Sequence, residues 1–193
     1  MEKAKINKAA DILYSSRINI KRIKSLPKDC TPISFQEAYA IQDELTKRYL
    51  SEDKKTLLIG KKIGCTNEDA KNQLNIKDSF FGNIFSNNIS KSNTVINPNK
   101  YFSPFVEPEF SFIMKNELDV TKAPYSPDTI FKSILAVLPS IELVDSRYED
   151  WTSIGVNNLI ADNAVHAHWI YGKEIKELNL FDFNNHSVDL FIN

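Results

Sequence analysis

Two glutamates lie two residues apart in the apolar segment VEPEFSFIM, residues 106–114. In a β-strand, residues two apart share a face and lie roughly 6 to 7 Å from each other, so Glu107 and Glu109 are predicted to point the same way. Like charges at that distance repel unless water screens them or a cation lies between them. Pro108 cannot donate to a β-ladder, which favours an edge strand or a bulge. The segment by itself is compatible with a solvated strand face or with a cation site.

A third glutamate interrupts another apolar segment, LPSIELVDSR, residues 138–147. A carboxylate buried alone there costs several kcal/mol or stays protonated. Glu142 together with Glu107 and Glu109 would instead offer oxygen ligands to a hard divalent cation such as Mg²⁺ or Mn²⁺. Three protein ligands leave coordination positions open for a chelating substrate, which is typical of a catalytic metal site. Spacing alone still leaves the solvated-face interpretation open.

The elements that must position these side chains are helices and strands in irregular order. Helices are predicted from capping patterns and apolar spacing over residues 35 to about 50 after the cap Ser34, 67 to about 74 after Thr66, and 127 to about 137 after Ser126. Strands are predicted over residues 57–63, 106–114 and 140–144, with at least one more within residues 181–192. Because helices and strands do not alternate regularly, the predicted fold class is α+β. We expect a helical N-terminal subdomain over residues 1–55 and a catalytic-type domain over residues 56–193.

Composition limits the partners that the protein can have. The chain has 193 residues and a formal net charge of -1, so no global field draws it to nucleic acid or to a membrane. No apolar run approaches the roughly 18 residues of a membrane span. Cys30 and Cys65 are too few and too far apart for a disulfide framework, which favours a reducing, cytoplasmic location.

Four motifs occur in order along the chain: KIGCT at 62–66, VEPEFSF at 106–112, PSIELVDSRYEDW at 139–151 and IADNA at 160–164. Together they resemble the 2-keto-4-pentenoate hydratase and 4-oxalocrotonate decarboxylase branch of the fumarylacetoacetate hydrolase superfamily, over nearly the whole chain. The resemblance implies a mixed β-roll with flanking helices. It also implies a metal site for Mg²⁺ or Mn²⁺ made by Glu107, Glu109 and Glu142. Lys62 matches the family lysine near the substrate, where its ammonium would bind the substrate carboxylate or relay a proton.

The same resemblance implies a lyase that acts on small 2-oxo acids, by decarboxylation or hydration. Phe80 stands where family hydratases carry an aspartate, which favours decarboxylation. Val165 and His166 replace small hydroxyl residues close to the substrate. The predicted substrate-binding residues are therefore Lys62, Phe80, Val165 and His166.

Other polar residues near these motifs have simpler interpretations. His166 and His168 could form a metal pair, but a site of hard oxygen ligands argues against it, and we expect them to flank a strand or loop. Asp145 and Arg147 are expected to pair with each other or to cap a turn.

The family continues beyond the position that matches Asn193, with a glycine turn, a strand and a helix. We therefore expect a β-roll shortened at the C-terminus, through removal of the remainder or in a relative stabilised by other subunits. A homo-oligomer, or association with a related subunit, is expected on the same grounds. The alternative function is a catalytically silent relative that binds a small acid or serves as a subunit partner.

Overall fold

The computed structural model of the chain describes residues 1–180, 183 and 185. Within them the chain forms five α-helices, namely α1 (Lys3–Ile18), α2 (Phe35–Glu52), α3 (Glu68–Leu74), α4 (Pro127–Lys132) and α5 (Val156–Ala161). It also forms six strands, namely β1 (Leu58–Gly64), β2 (Phe80–Phe85), β3 (Ile89–Lys91), β4 (Phe105–Met114), β5 (Ile134–Val144) and β6 (His166–Tyr171). The α+β prediction is confirmed.

The described strands form two sheets. Strands β1 and β2 make an antiparallel pair, and the other four make a mixed sheet in the order β3-β6-β5-β4. In that sheet β3 is parallel to β6, while β6, β5 and β4 are antiparallel neighbours. Among the described strands, β4, which carries Glu107, Pro108 and Glu109, is therefore at an edge of its sheet, as Pro108 predicted.

Helix α2 begins as its capping pattern predicts. The Ser34 side chain accepts the backbone N–H of Glu37 at 3.3 Å. The Glu37 carboxylate returns to the backbone N–H of Ile33, one residue before the position that a standard capping box uses. Helix α3 is capped by Asn67, whose side chain accepts the N–H of Ala70, so the prediction of Thr66 as the cap is wrong by one residue.

Helix α4 ends at Lys132, so the predicted extension of this helix to residue 137 is wrong. Strand β5 begins instead at Ile134, and Phe112 and Ile113 of β4 pair with Val137 and Ala136. Pairing with a neighbouring strand outweighs local helix propensity at these apolar residues, because both faces of the segment find partners. The strand predicted within residues 181–192 lies almost wholly outside the described residues.

A hydrophobic core joins the N-terminal helices to the strands and to α5. Its buried members include Leu13 of α1, Ile41 of α2, Phe80 of β2 and Ile160 of α5. Gln42 is fully buried among them and donates to the carbonyls of Phe81 and Ile160. Helix α2 therefore holds β2 and α5 at fixed positions, and both lead to the candidate site. The division into subdomains at residue 55 stays a prediction.

No helix in the part of the chain that the structure describes is long and apolar enough to cross a membrane.

Candidate active site and metal centre

The register of β4 against β5 brings the three glutamates together. Glu107 pairs directly with Glu142, and Glu109 pairs with Ser140, which lies two residues before Glu142 on the same face. One carboxylate oxygen from each glutamate lies within 4.8 Å of the others. The predicted strand thus turns both of its glutamates toward the glutamate of its neighbour.

The three carboxylates differ in burial. Glu142 is 1% exposed, Glu109 is partly buried, and Glu107 lies toward the solvent. Burial, followed by repulsion from Glu142, raises the pKa of Glu109 to about 7. Burial also raises the pKa of Glu107, while the Lys62 ammonium acts in the opposite direction. The cluster is therefore short of positive charge.

Lys62 approaches the cluster from the other sheet. It lies on β1, is 7% exposed, and its Nζ is 3.4 Å from Glu142 Oε2. The neighbouring Lys61 points the other way, where its ammonium lies 4.6 Å from the centre of the Phe81 ring and donates to the Asn83 side chain. The alternation of a strand thus separates the two lysines, and Lys62 is the one beside the glutamates.

His166 contacts the remaining oxygen of Glu142. Its Nδ1 lies 2.7 Å from Glu142 Oε1, and both side chains are 1% exposed. Burial lowers the pKa of His166, although the hydrogen bond to Glu142 opposes that shift. His168 lies next to the Ser90 hydroxyl instead, at 2.9 Å. Neither histidine belongs to the metal-type cluster found among the described residues.

Phe80 and Val165 lie close to these groups. Phe80 is 5% exposed and begins β2 opposite Gly64. A Cβ on Gly64 would be 2.9 Å from the Phe80 ring and 3.5 Å from Lys62 Nζ. The ring is therefore a neighbour of the lysine as well as a member of the core. Val165 is partly buried and directly precedes His166 in the turn Asn163–Val165.

The expected pairing of Asp145 with Arg147 does not form. Arg147 instead donates to the Asp162 carboxylate and carbonyl, and both residues are 1% exposed. The Asp145 carboxylate accepts the backbone N–H groups of Phe102 and Ser103, which is the capping role that the sequence left open. These residues shape the loops around the site and do not enter the glutamate cluster.

A row of hydroxyl groups beside the glutamates was missed from the sequence. Trp169 Nε1 donates to Ser111 Oγ at 2.9 Å, and Ser111 Oγ lies 2.7 Å from Ser140 Oγ. Ser140 Oγ in turn donates to the carbonyl of Glu109 at 3.2 Å. Strand alternation could have found Ser111, because it shares a face with the two glutamates of VEPEFSFIM.

The residues present fit a hard divalent cation. The cluster offers only carboxylate oxygens, which are the ligands that Mg²⁺ prefers. Glu142 Oε2 is buried and has no hydrogen-bond partner among the described residues. Burial, and then repulsion from Glu142, raise the pKa values of Glu107 and Glu109. A cation bound beside the unbonded oxygen of Glu142 would stabilise all three carboxylates.

No family model matches the chain. Individual relatives do match. The chain is 30% identical over 178 residues to a 2-hydroxypent-2,4-dienoate hydratase of Pseudomonas putida, covering 90% of this chain and 77% of the relative. It is 29% identical over 177 residues to a TodF product hydratase of Pseudomonas putida F1, covering 92% of this chain and 64% of the relative. It is 26% identical over 184 residues to a 4-oxalocrotonate decarboxylase of Pseudomonas sp. CF600, covering 93% and 66%.

The fold matches a solved structure as well. The 4-oxalocrotonate decarboxylase of Pseudomonas putida G7, complexed with magnesium and adipate, superposes with a TM-score of 0.83 at 22% identity, covering 93% of this chain and 67% of that one. Several relatives thus extend beyond the matched region by a third of their length. With 30% identity over three quarters of a curated hydratase, the chain belongs to the 2-keto-4-pentenoate hydratase and 4-oxalocrotonate decarboxylase branch of the fumarylacetoacetate hydrolase superfamily.

Proposed function

We propose that the chain is a divalent-metal-dependent lyase that acts on small 2-oxo acids, as a decarboxylase or a hydratase. The observation that carries this proposal is the convergence of three glutamates and a lysine from two separate sheets. The names of the hydratases and decarboxylases to which the chain is similar support the reaction class.

Glu107, Glu109 and Glu142 would hold the metal ion, which we take to be Mg²⁺ or Mn²⁺. When bound, the ion would supply Lewis-acid chemistry, because it would polarise the 2-oxo group and stabilise the negative charge that develops on it. Ligands on the paired strands β4 and β5 are suited to this role, since main-chain hydrogen bonds fix their spacing.

Lys62 is the proposed catalytic residue. Its ammonium, on a flexible stem, is held beside Glu142, and both side chains are largely closed to water. It would bind the substrate carboxylate through its charge, or deliver a proton to the carbon skeleton from Nζ. Both roles require the position that the structure gives it, within reach of the glutamate cluster.

Phe80 would bias the reaction toward decarboxylation. Its ring lies beside Lys62 and presents no acid or base, whereas addition of water needs a group that activates the water. Val165 would contact the substrate from the turn that precedes β6. The prediction that His166 contacts the substrate stays a prediction, and the described contact of its ring is with Glu142.

The test is turnover by the purified full-length protein. We expect a 2-oxo-enoate or a 2-oxo-enedioate to be consumed in the presence of Mg²⁺ or Mn²⁺ but not after chelation, as followed by ultraviolet absorbance. Carbon dioxide release from the enedioate would identify a decarboxylase, and hydroxyacid formation from the enoate a hydratase.

The outcomes separate this proposal from its alternative. Metal binding without turnover of either substrate, while a related hydratase assayed alongside is active, would favour a silent relative that binds a small acid or serves as a subunit partner. Association with itself or with a related subunit, which we also propose, would appear in sedimentation experiments. Absence of both metal binding and turnover would overturn the lyase proposal.

A further inference from the structure

The two oxygens of the Glu142 carboxylate have different neighbours. Oε1 lies 2.7 Å from His166 Nδ1, while Oε2 lies 3.4 Å from Lys62 Nζ and has no hydrogen bond within the described part of the chain. As a metal ligand Glu142 would be ionised, and an ionised carboxylate only accepts hydrogen bonds. The imidazole would then carry its proton on Nδ1 and donate it to Oε1. The histidine therefore fixes one oxygen and leaves the other on the side of the catalytic lysine.

The turn before His166 has a backbone conformation that L-residues rarely adopt. Asn163, Ala164 and Val165 have φ angles of 56°, 50° and 55°. A left-handed conformation is costly for a β-branched residue such as Val165, and it persists only where the surroundings impose it. Such strain is concentrated at functional sites, and the residue that this turn positions is His166.

Contacts from β2 and from Asp145, the residue directly after β5, impose this turn. The Asn163 side chain accepts the backbone N–H of Asn83 at 2.7 Å and donates to its carbonyl at 2.9 Å. The Val165 carbonyl accepts the N–H of Asp145 at 2.8 Å. Gly82 leaves room for the turn, since a Cβ there would lie 2.4 Å from the Asn163 carbonyl oxygen.

The backbone of His166 is held on its other side by helix α1. Arg17 donates to the His166 carbonyl at 3.1 Å and to the Asp145 carbonyl at 3.2 Å. The ring is thus directed at Glu142 by a turn that is hydrogen-bonded to β2 and to Asp145, and by a cation from the N-terminal helix.

We propose that His166 is a positioning residue for the metal site, which holds Glu142 Oε1 so that Oε2 is presented to the divalent cation. The proposal rests on the proposed function, because it assumes that Glu142 is a metal ligand. It assigns His166 a role that acts through Glu142 and not through contact with substrate. Groups that orient metal ligands in this way contribute about ten- to a hundredfold to metal affinity.

The test is the Mg²⁺ affinity of purified variants, measured by calorimetry without substrate. His166→Leu keeps much of the volume and removes the donor, and we expect it to bind Mg²⁺ about ten- to a hundredfold more weakly. His166→Asn places an amide N–H near the position of Nδ1 and should recover most of the affinity. His166→Gln places its amide near Nε2 and should not recover it. The matched control is His168→Leu on the same strand, which should bind within about twofold of the unsubstituted protein.

If His166→Leu does not fold, the comparison of His166→Asn with His166→Gln still tests the proposal. A merely structural role of His166 would not make Mg²⁺ affinity depend on where the amide N–H lies. Affinity in His166→Gln equal to that of the unsubstituted protein would overturn the positioning role and leave the lyase proposal intact. An unsubstituted protein that does not bind Mg²⁺ would overturn both.

Discussion

Lys62 Nζ lies 3.4 Å from Glu142 Oε2, although the lysine belongs to the two-stranded sheet and the glutamate to the four-stranded sheet. Their side chains are 6% and 1% exposed, so the pair joins the two sheets in a region that water barely reaches. One ammonium cannot balance the three carboxylates of the cluster, and burial followed by repulsion from Glu142 raises the pKa of Glu109. Two negative charges are left over, and a divalent cation would balance them.

Replacing Lys62 by methionine should abolish turnover without abolishing metal binding. The methionine keeps the apolar stem and removes the ammonium, so both proposed roles are lost, and proton delivery alone is worth about 10²- to 10⁴-fold. Mg²⁺ affinity should not fall, because the glutamates stay and a competing cation is gone. Steady-state kinetics and calorimetry on the same preparation measure the two effects.

Lys61→Met is the control for this variant, because Lys61 lies on the same strand but faces Phe81 and Asn83. Its turnover should stay within a few-fold of the unsubstituted protein. A Lys62→Met protein that retains more than a tenth of the activity would exclude a catalytic role for the lysine.

Replacing Glu109 by glutamine should stabilise the protein in the presence of a chelator. Because burial and Glu142 raise the pKa of Glu109 to about 7, its charged form at pH 8 is unfavourable in the folded state, and a neutral amide removes that cost. We expect the melting temperature in EDTA to rise by roughly 2 to 4 °C for each kcal/mol recovered. Added Mg²⁺ should stabilise the unsubstituted protein but not this variant.

Differential scanning calorimetry with and without Mg²⁺ distinguishes these effects. Glu149→Gln, at an exposed position, serves as the control and should change neither melting temperature. A Glu109→Gln protein that melts lower than the unsubstituted protein in EDTA would argue against charge repulsion in the cluster.

Replacing Gly82 by alanine should damage both stability and metal binding. The new Cβ would lie 2.4 Å from the Asn163 carbonyl oxygen and 3.1 Å from the Ala164 Cβ. Neither atom is at the end of a flexible side chain, so relieving the clash requires the backbone to move. We expect a loss of about 3 kcal/mol in the free energy of unfolding, at the upper end for overpacking, and a weaker metal site because the turn before His166 must move.

Gly60→Ala tests the same substitution in the paired strand β1. A Cβ there would meet nothing nearer than Ile84 Cδ1 at 3.8 Å, so the free energy of unfolding should change by less than about 1 kcal/mol. Urea titrations of both variants provide the comparison. Equal destabilisation by the two alanines would contradict the contact argued for Gly82.

Glu44 should contribute to stability at neutral pH and lose that contribution in acid. Hydrogen bonds from Lys3 and Arg48, followed by one from Lys47, lower its pKa to about 2. A carboxyl with a depressed folded pKa stabilises above its unfolded value near 4.5, and this stabilisation disappears as the pH falls from there toward 2. After allowance for solvent screening, we expect about 1 to 2 kcal/mol at pH 7.

Chemical denaturation of Glu44→Gln and the unsubstituted protein at pH 7 and pH 3 measures this contribution. The difference between the two proteins should be smaller at pH 3. A difference that does not depend on pH would show that Glu44 contributes through packing and not through its charge.

Local patterns predicted the elements whose cause is local. The Ser34 side chain caps α2 because the Glu37 N–H is only three residues away, so the contact does not depend on tertiary structure. Helix α4 shows the opposite case, since the segment after Lys132 has helical spacing but becomes β5 when β4 offers a ladder of hydrogen bonds. Arg147 likewise pairs with Asp162, a residue that becomes its neighbour only through the fold.

The sequence by itself determined that Glu107 and Glu109 share one face, because the pleat of a strand fixes the direction of alternate side chains. It also determined the family, through motifs that keep their order along the chain. Only the tertiary structure decided that Glu142 stands opposite Glu107, because strand register depends on long-range pairing. The tertiary structure alone directs His166 at Glu142, since the left-handed turn at Val165 contradicts local preference and is imposed by hydrogen bonds from Asn83 and Asp145, which are distant in sequence.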